Sequence, residues 1–117
     1  MSIPISGSGS IHIRALLTDC SGTAVTASDV SAIKLNIYEK LPPNAAVADY
    51  TNLTVPTSAI LATTAEDEDG NDYNVDFNPY ISGKPMFPKR QTTYVVEVVF
   101  FDVDGKPSAH QIEVDAL

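Results

Sequence analysis

The sequence predicts an all-β fold, an immunoglobulin-like β-sandwich of about seven antiparallel strands with at most one short helical turn. Short segments that alternate apolar and polar residues, or that are rich in β-branched and aromatic residues, recur along the chain. Segments rich in Gly, Pro, Asn and Asp separate them. The Cys–Trp–Cys signature of antibody domains is absent, since the chain has one Cys and no Trp. The strand topology therefore stays open.

The length and composition favour one domain with a short N-terminal arm. The chain has 117 residues and shows neither an internal repeat nor a second composition block. Residues 11–117 form the predicted sandwich. Residues 1–10 form the arm, in which Ser-Gly-Ser-Gly-Ser at 6–10 is typical of a flexible spacer. The arm is either a frayed terminus or a segment that contacts a neighbour in an assembly through Ile3 and Ile5.

Four strands are expected in the first half of the chain. Residues 11–17 begin with an apolar–polar alternation, and residues 32–39 place Ile33, Leu35 and Ile37 on one face. Weaker patterns indicate short strands at 47–50 and 53–55, and residues 57–61 look like a single helical turn or a crossing segment.

Three strands are expected in the second half. Residues 73–77 alternate strictly, and residues 92–101 form a long β-branched and aromatic run. Asp104-Gly105 is typical of a two-residue hairpin turn, after which residues 108–114 return as the partner strand.

The charge balance argues against nucleic acid and membrane partners. Fifteen acidic and seven basic residues give a formal charge of −8, whereas nucleic-acid binding depends on clustered Lys and Arg. No apolar run approaches the ~20 residues that span a bilayer. The N-terminus lacks the basic and apolar regions of a signal peptide, so we expect no export by that route.

We find no pattern of catalytic residues and expect a non-enzymatic protein. Cys20 is the sole cysteine, and the sequence pairs neither His12 nor His110 with it. Both histidines fall on the polar positions of the alternation in predicted strands, which is typical of histidines at the surface. No nucleophile elbow and no phosphate-binding loop occurs.

The acidic run at residues 66–72 raises the question of calcium. The EF-hand pattern needs glycine at the sixth position of its loop, and counting from Asp67 that position is Asp72. A solvated hairpin loop is the favoured interpretation. A weak calcium site at Asp67, Asp69 and Asp72 is the alternative, and no other cofactor is expected.

The loop at residues 80–90 combines aromatic residues, methionine and the only adjacent pair of basic residues in the sequence. Such residues are enriched at protein interfaces, and the basic pair suits an acidic partner surface. The alternative is that Phe87 and Ile81 pack under the edge of the sandwich. The predicted contacts in this loop are Tyr80, Met86, Phe87, Lys89 and Arg90.

Three stretches, residues 25–38, 71–77 and 94–106, carry a family resemblance. Together they resemble small accessory virion proteins of tailed bacteriophages, which are built on immunoglobulin-like sandwiches and encoded among head and neck structural genes. The resemblance implies a non-enzymatic virion protein, made in the host cytoplasm and present in multiple copies, that decorates the capsid exterior by contacts with the major capsid protein. A head–tail junction or tail component is the alternative within that class.

A different class of protein also fits the residues. A free adhesion or carbohydrate-binding module would use loop aromatics and calcium. The absence of an export signal and of Trp counts against this interpretation.

Overall fold

The structure, a computed structural model, describes residues 2–5, 11–19 and 21–117 and confirms the all-β prediction. Eight strands and three single-turn 3-10 helices occur in these residues. No helix among them is long and apolar enough to cross a bilayer. The strands are β1 (Ser2–Ile5), β2 (Ile13–Ala15), β3 (Val30–Glu39), β4 (Leu53–Val55), β5 (Ile60–Glu66), β6 (Asp72–Phe77), β7 (Thr92–Asp102) and β8 (Pro107–Ala116), and the helical turns are Ala27–Asp29, Ala48–Tyr50 and Thr57–Ala59.

The strands form two sheets that pack as a sandwich. The large sheet has the order β1-β8-β7-β3-β4, in which β1 runs parallel to β8 and the other pairs are antiparallel. The small sheet has the antiparallel order β2-β6-β5. The run β8-β7-β3 has the neighbour order of the three-stranded immunoglobulin sheet, and β4 lies where a variable-type domain adds the first of its two extra strands. β2, β6 and β5 correspond to the opposing sheet.

The inward faces of the central strands fill the core. Ile33, Leu35 and Ile37 are fully buried, as the alternation in the sequence predicted. Val96 of β7 and Val114 of β8 are likewise fully buried and complete the inner face of the large sheet. Because alternate side chains point to opposite faces of a strand, the same residues fix which side chains face outward.

A tyrosine at the start of β7 ties the neighbouring loop to the core. The Tyr94 hydroxyl accepts a hydrogen bond from the Lys89 backbone N–H at 2.9 Å, and the Tyr94 ring is buried. Val96, two residues later, occupies the place where antibody domains carry the second cysteine of their inter-sheet disulfide. Tyr94 therefore forms the tyrosine corner of immunoglobulin domains, in which a tyrosine hydroxyl binds the backbone of the preceding loop. Val96 replaces the cysteine that follows this tyrosine in antibody domains.

Three predictions of individual elements were wrong. The strand predicted at residues 47–50 is absent: Ala48–Tyr50 form a helical turn, and Tyr50 within it is buried. β5 was not predicted, because its pairing with β6 shifts register between Ile60 and Ala65 and residues 61–64 show no alternation. Three helical turns occur in place of at most one.

Two further predictions concern residues outside the described part. Cys20 and the spacer at residues 6–10 are among them, as is Met1. Within the predicted arm, Ser2–Ile5 forms β1 and pairs with β8 of the same chain, from Ser2 opposite Glu113 to Ile5 opposite Ala116.

Candidate functional site at the two ends of the sandwich

The strand directions bring three connections, β2–β3, β5–β6 and β7–β8, to one end of the sandwich, which we call the acidic end. β2 leads out of this end and β3 returns from it, since Val30 pairs with Asp102 at the end of β7. The β5–β6 loop lies beside them, because Ala15 of β2 pairs with Val75 of β6. The acidic residues here are Asp19, Asp29, Glu66, Asp67, Glu68, Asp69, Asp72, Asp102 and Asp104, and Lys106 is the only basic residue among them.

The acidic end carries the net charge of the whole chain. Nine acidic residues and one basic residue give it a formal charge of −8, which equals the total. The remaining six acidic and six basic residues balance. None of the ion pairs found among the described residues involves the acidic end.

Three turns at this end share one motif, Asp-x-x-Gly-x. The motif begins at Asp19, Asp67 and Asp102, and its glycine is Gly22, Gly70 or Gly105. In each turn the Asp N–H donates to the carbonyl four residues on, and the Gly N–H donates to the Asp carbonyl. The three glycines have φ between 80° and 82°, a region that most side chains avoid.

The aspartate side chain closes each of these turns. Asp67 Oδ1 accepts the backbone N–H groups of Asp69 and Asn71, both at 2.9 Å. Asp19 and Asp102 each accept two N–H groups in the same positions, at 2.8–3.0 Å. The predicted two-residue turn at Asp104-Gly105 is thereby corrected: the connection runs from Asp102 to Lys106, and only its glycine has positive φ. In the sequence these turns are marked by a glycine three residues after an aspartate, a pattern that occurs at Asp19, Asp67 and Asp102.

A cleft of about 430 Å³ opens between the sheets at the acidic end. Its floor includes the buried side chains of Leu17, Val30 and Phe100, and Asp29 and Asp102 lie at its rim. Asn74 stands behind this end as a buried clamp. Its amide accepts the Leu17 N–H at 2.7 Å and donates to the Leu17 and Val25 carbonyls at 2.8 and 2.9 Å.

The calcium alternative at Asp67, Asp69 and Asp72 stays a prediction. Among the described residues no group of three His, Cys, Asp or Glu side chains has a metal-binding arrangement. The Asp67 carboxylate is engaged in its own turn through Oδ1.

The opposite end, which we call the balanced end, holds residues 40–52, residues 78–91 and the C-terminal end of β8. The 78–91 segment is anchored by buried aromatic residues. The Tyr50 hydroxyl donates to the Lys84 carbonyl at 2.7 Å and accepts the Ile81 N–H at 2.8 Å. The Phe87 and Tyr94 rings lie 5.4 Å apart at 53°.

Two of the predicted contact residues belong to the core. Met86 is 0% exposed and Phe87 is 1% exposed, so the prediction that they form a docking surface was wrong. They fill the space under the sandwich edge beside Tyr94, which is the alternative that the sequence left open for Phe87. The sequence predicted a surface loop at residues 85–88 because prolines stand on both sides of Met86 and Phe87.

The other predicted contacts of this loop lie at the surface. Tyr80 is 42% exposed, and Lys89 and Arg90 are exposed. Lys89 Nζ forms an ion pair with Glu39 at 2.9 Å, and this hydrogen bond raises the pKa of Lys89. Ile3 and Ile5 belong to β1, which follows β8 toward this end of the sandwich.

The two histidines lie beside different sheets, since His12 directly precedes β2 of the small sheet and His110 belongs to β8 of the large sheet. His12 contacts the Asp76 carboxylate, which also lies 3.6 Å from Arg14 Nε. His110 packs edge-on against the Phe100 ring at 5.5 Å. The structure therefore does not bring the two histidines to adjacent strands.

Comparisons with protein-family models, with curated proteins and with solved structures found no match to this chain. The class to which the fold assigns the chain is the β-sandwich.

Proposed function

We propose that this chain is a non-enzymatic structural protein that attaches to a large protein assembly through its balanced end. The observation that carries the proposal is the difference in charge between the two ends. Burial of a strongly charged surface costs desolvation energy, and the cores of protein interfaces are depleted of charged residues. The balanced end carries a small formal charge of +2, from Lys40, Lys84, Lys89 and Arg90 against Asp49 and Asp115, in place of −8. It exposes Leu41, Tyr80 and Leu117.

The resemblance to accessory virion proteins supplies the kind of assembly. On that basis the partner is a capsid lattice of a tailed bacteriophage, and the chain decorates its exterior in many copies. Each contact would be modest, and repetition over the lattice would provide avidity. The acidic end would then project away from the particle, where like charge repels neighbouring molecules.

A binding assay with two matched variants tests the attachment surface. Tyr80→Ala/Arg90→Ala removes one exposed apolar residue and one cation from the balanced end. Val103→Ala/Lys106→Ala removes the same kinds of group from the acidic end, where Val103 is 67% exposed. We expect the first variant to lose at least about tenfold in occupancy on purified particles and the second to bind as the parent does. Equal binding of both variants would contradict attachment through the balanced end.

The copy number tests the assembly itself. Quantitative mass spectrometry of purified particles from the source should find hundreds of copies for a lattice decoration. A dozen or fewer would place the protein at the head–tail junction or in the tail. Complete absence would refute the virion proposal, although the attachment test could still be carried out on another assembly.

A further inference from the structure

We propose that the outer face of the large sheet binds the same face of a second copy, so that the protein forms a two-fold symmetric dimer. The face consists of the side chains that point away from the small sheet. The small sheet packs against the opposite face of the large sheet, and of the residues on this outer face Val95 alone is buried. Its residues are Ala32, Lys34, Asn36 and Tyr38 of β3, Val95, Glu97, Val99 and Phe101 of β7, and Pro107, Ala109, Gln111 and Glu113 of β8.

Half of this face is apolar. The register places Ala32, Phe101 and Pro107 in one row across the sheet, and Val99 and Ala109 lie beside each other in the next row. Val99 and Phe101 are half-buried, and Pro107 and Ala109 are exposed. Contiguous apolar surface of this kind is typical of an interaction site.

Two opposite charges on the face, Lys34 and Glu97, form hydrogen bonds instead of ion pairs within the described part of the chain. Lys34 Nζ donates to the Thr54 hydroxyl at 2.7 Å, and Glu97 Oε2 accepts from Gln111 at 3.0 Å. Neither residue takes part in an ion pair among the described residues. They are diagonal neighbours, because Lys34 pairs with Val99 and Asn36 pairs with Glu97.

This arrangement is complementary to itself. A two-fold axis in the plane of the interface, midway between Lys34 and Glu97, sets each lysine against the glutamate of the other copy. The line between the two residues extends roughly 7 Å along the strands and 4.8 Å across them. The axis therefore makes an angle of roughly 56° with the strands, so the rotation turns the strand direction by roughly 110° and the two acidic ends diverge. A positively charged partner would satisfy only Glu97, and a negatively charged partner would satisfy only Lys34. A second copy satisfies both, so we favour it as the occupant of this face.

Sedimentation velocity over a wide concentration series tests the dimer with three charge variants. Lys34→Glu and Glu97→Lys each place like charges face to face, and each should weaken association at least about tenfold. The double variant restores opposite charges and should recover the association. Lys106→Glu, which makes the same charge change as Lys34→Glu at the acidic end, should associate as the parent does.

Two outcomes would overturn the proposal. One is a parent chain that stays monomeric at every concentration. The other is a dimer that both single reversals leave unchanged. Ala109→Lys provides a second test, because Ala109 is exposed in the monomer and its replacement does not disturb the core; this variant should also weaken the dimer. Circular dichroism spectra establish that each variant is folded, and none of these residues belongs to the proposed attachment surface.

Discussion

The two ends of this sandwich are held together by different physical means. The balanced end depends on buried aromatic side chains: Tyr50, Phe87 and Tyr94 fix residues 78–91 to the core. The acidic end depends on backbone turns that are closed by aspartate side chains. One fold can therefore carry all of its net charge at one end, because turns of this kind need carboxylates and the opposite loops need apolar volume.

The largest expected effect is at the balanced end. Phe87→Ala should lower the free energy of unfolding by about 3–5 kcal/mol, because it removes a fully buried ring and leaves a cavity beside Tyr94. Chemical denaturation with urea measures the loss. Tyr80→Ala is the matched control from the same loop and should cost less than about 0.5 kcal/mol in the isolated chain, since Tyr80 is exposed. Equal losses for the two variants would contradict the assignment of Phe87 to the core.

The next effect concerns the clamp behind the acidic end. Asn74→Ala should lower the free energy of unfolding by about 2–4 kcal/mol, because the buried Leu17 N–H loses its acceptor and the Leu17 and Val25 carbonyls each lose a donor. The Leu17 carbonyl keeps only its hydrogen bond from the Val25 N–H. Asn36→Ala is the control, since Asn36 accepts one exposed backbone N–H, that of Asn52. A loss at Asn74 no greater than that at Asn36 would show that water replaces the clamp.

Alkaline pH should weaken the balanced end through a buried phenol. Burial, with smaller contributions from Tyr80 and Asp49, raises the pKa of Tyr50 above its ordinary value of 10.0, although the Ile81 N–H opposes the shift. A raised pKa in the folded state contributes stability that is present below pH 10 and is lost as the pH rises toward the folded-state pKa. Thermal melts from pH 8 upward should therefore show a steeper decline for the parent chain than for Tyr50→Phe. Parallel declines would exclude Tyr50 as the group responsible.

The sequence predicted the class of fold and the strands that alternate regularly. Ile33, Leu35 and Ile37 were placed correctly because every second residue of β3 faces the core. β5 could not be predicted, since a register shift removes its alternation. Met86 and Phe87 were misplaced because burial beneath a proline-rich loop depends on a distant residue, Tyr94, that the local pattern does not reveal.

The candidate surfaces were harder to predict than the strands. Net charge is a property of the composition, but its concentration at one end depends on which loops the topology brings together. The Asp-x-x-Gly-x recurrence was visible in the sequence, and it predicts three similar turns once the role of aspartate as a turn-closing acceptor is considered. Their common location follows only from the strand directions.

The smallest expected effect separates the two roles of the turn aspartates, which are hydrogen bonding and charge. Asp67→Ala should lower the free energy of unfolding by about 1 kcal/mol, because the N–H groups of Asp69 and Asn71 lose their acceptor. Asp67→Asn retains an acceptor oxygen and removes one negative charge from an end that carries −8. It should therefore match or exceed the stability of the parent at low salt, and the difference between them should shrink as added NaCl screens the repulsion. Urea denaturation at low and high NaCl measures both effects. Suppose that Asp67→Asn and Asp67→Ala lowered the free energy of unfolding equally at every salt concentration. The acceptor oxygen that asparagine retains would then contribute nothing, and Asp67 would stabilise the turn through its negative charge.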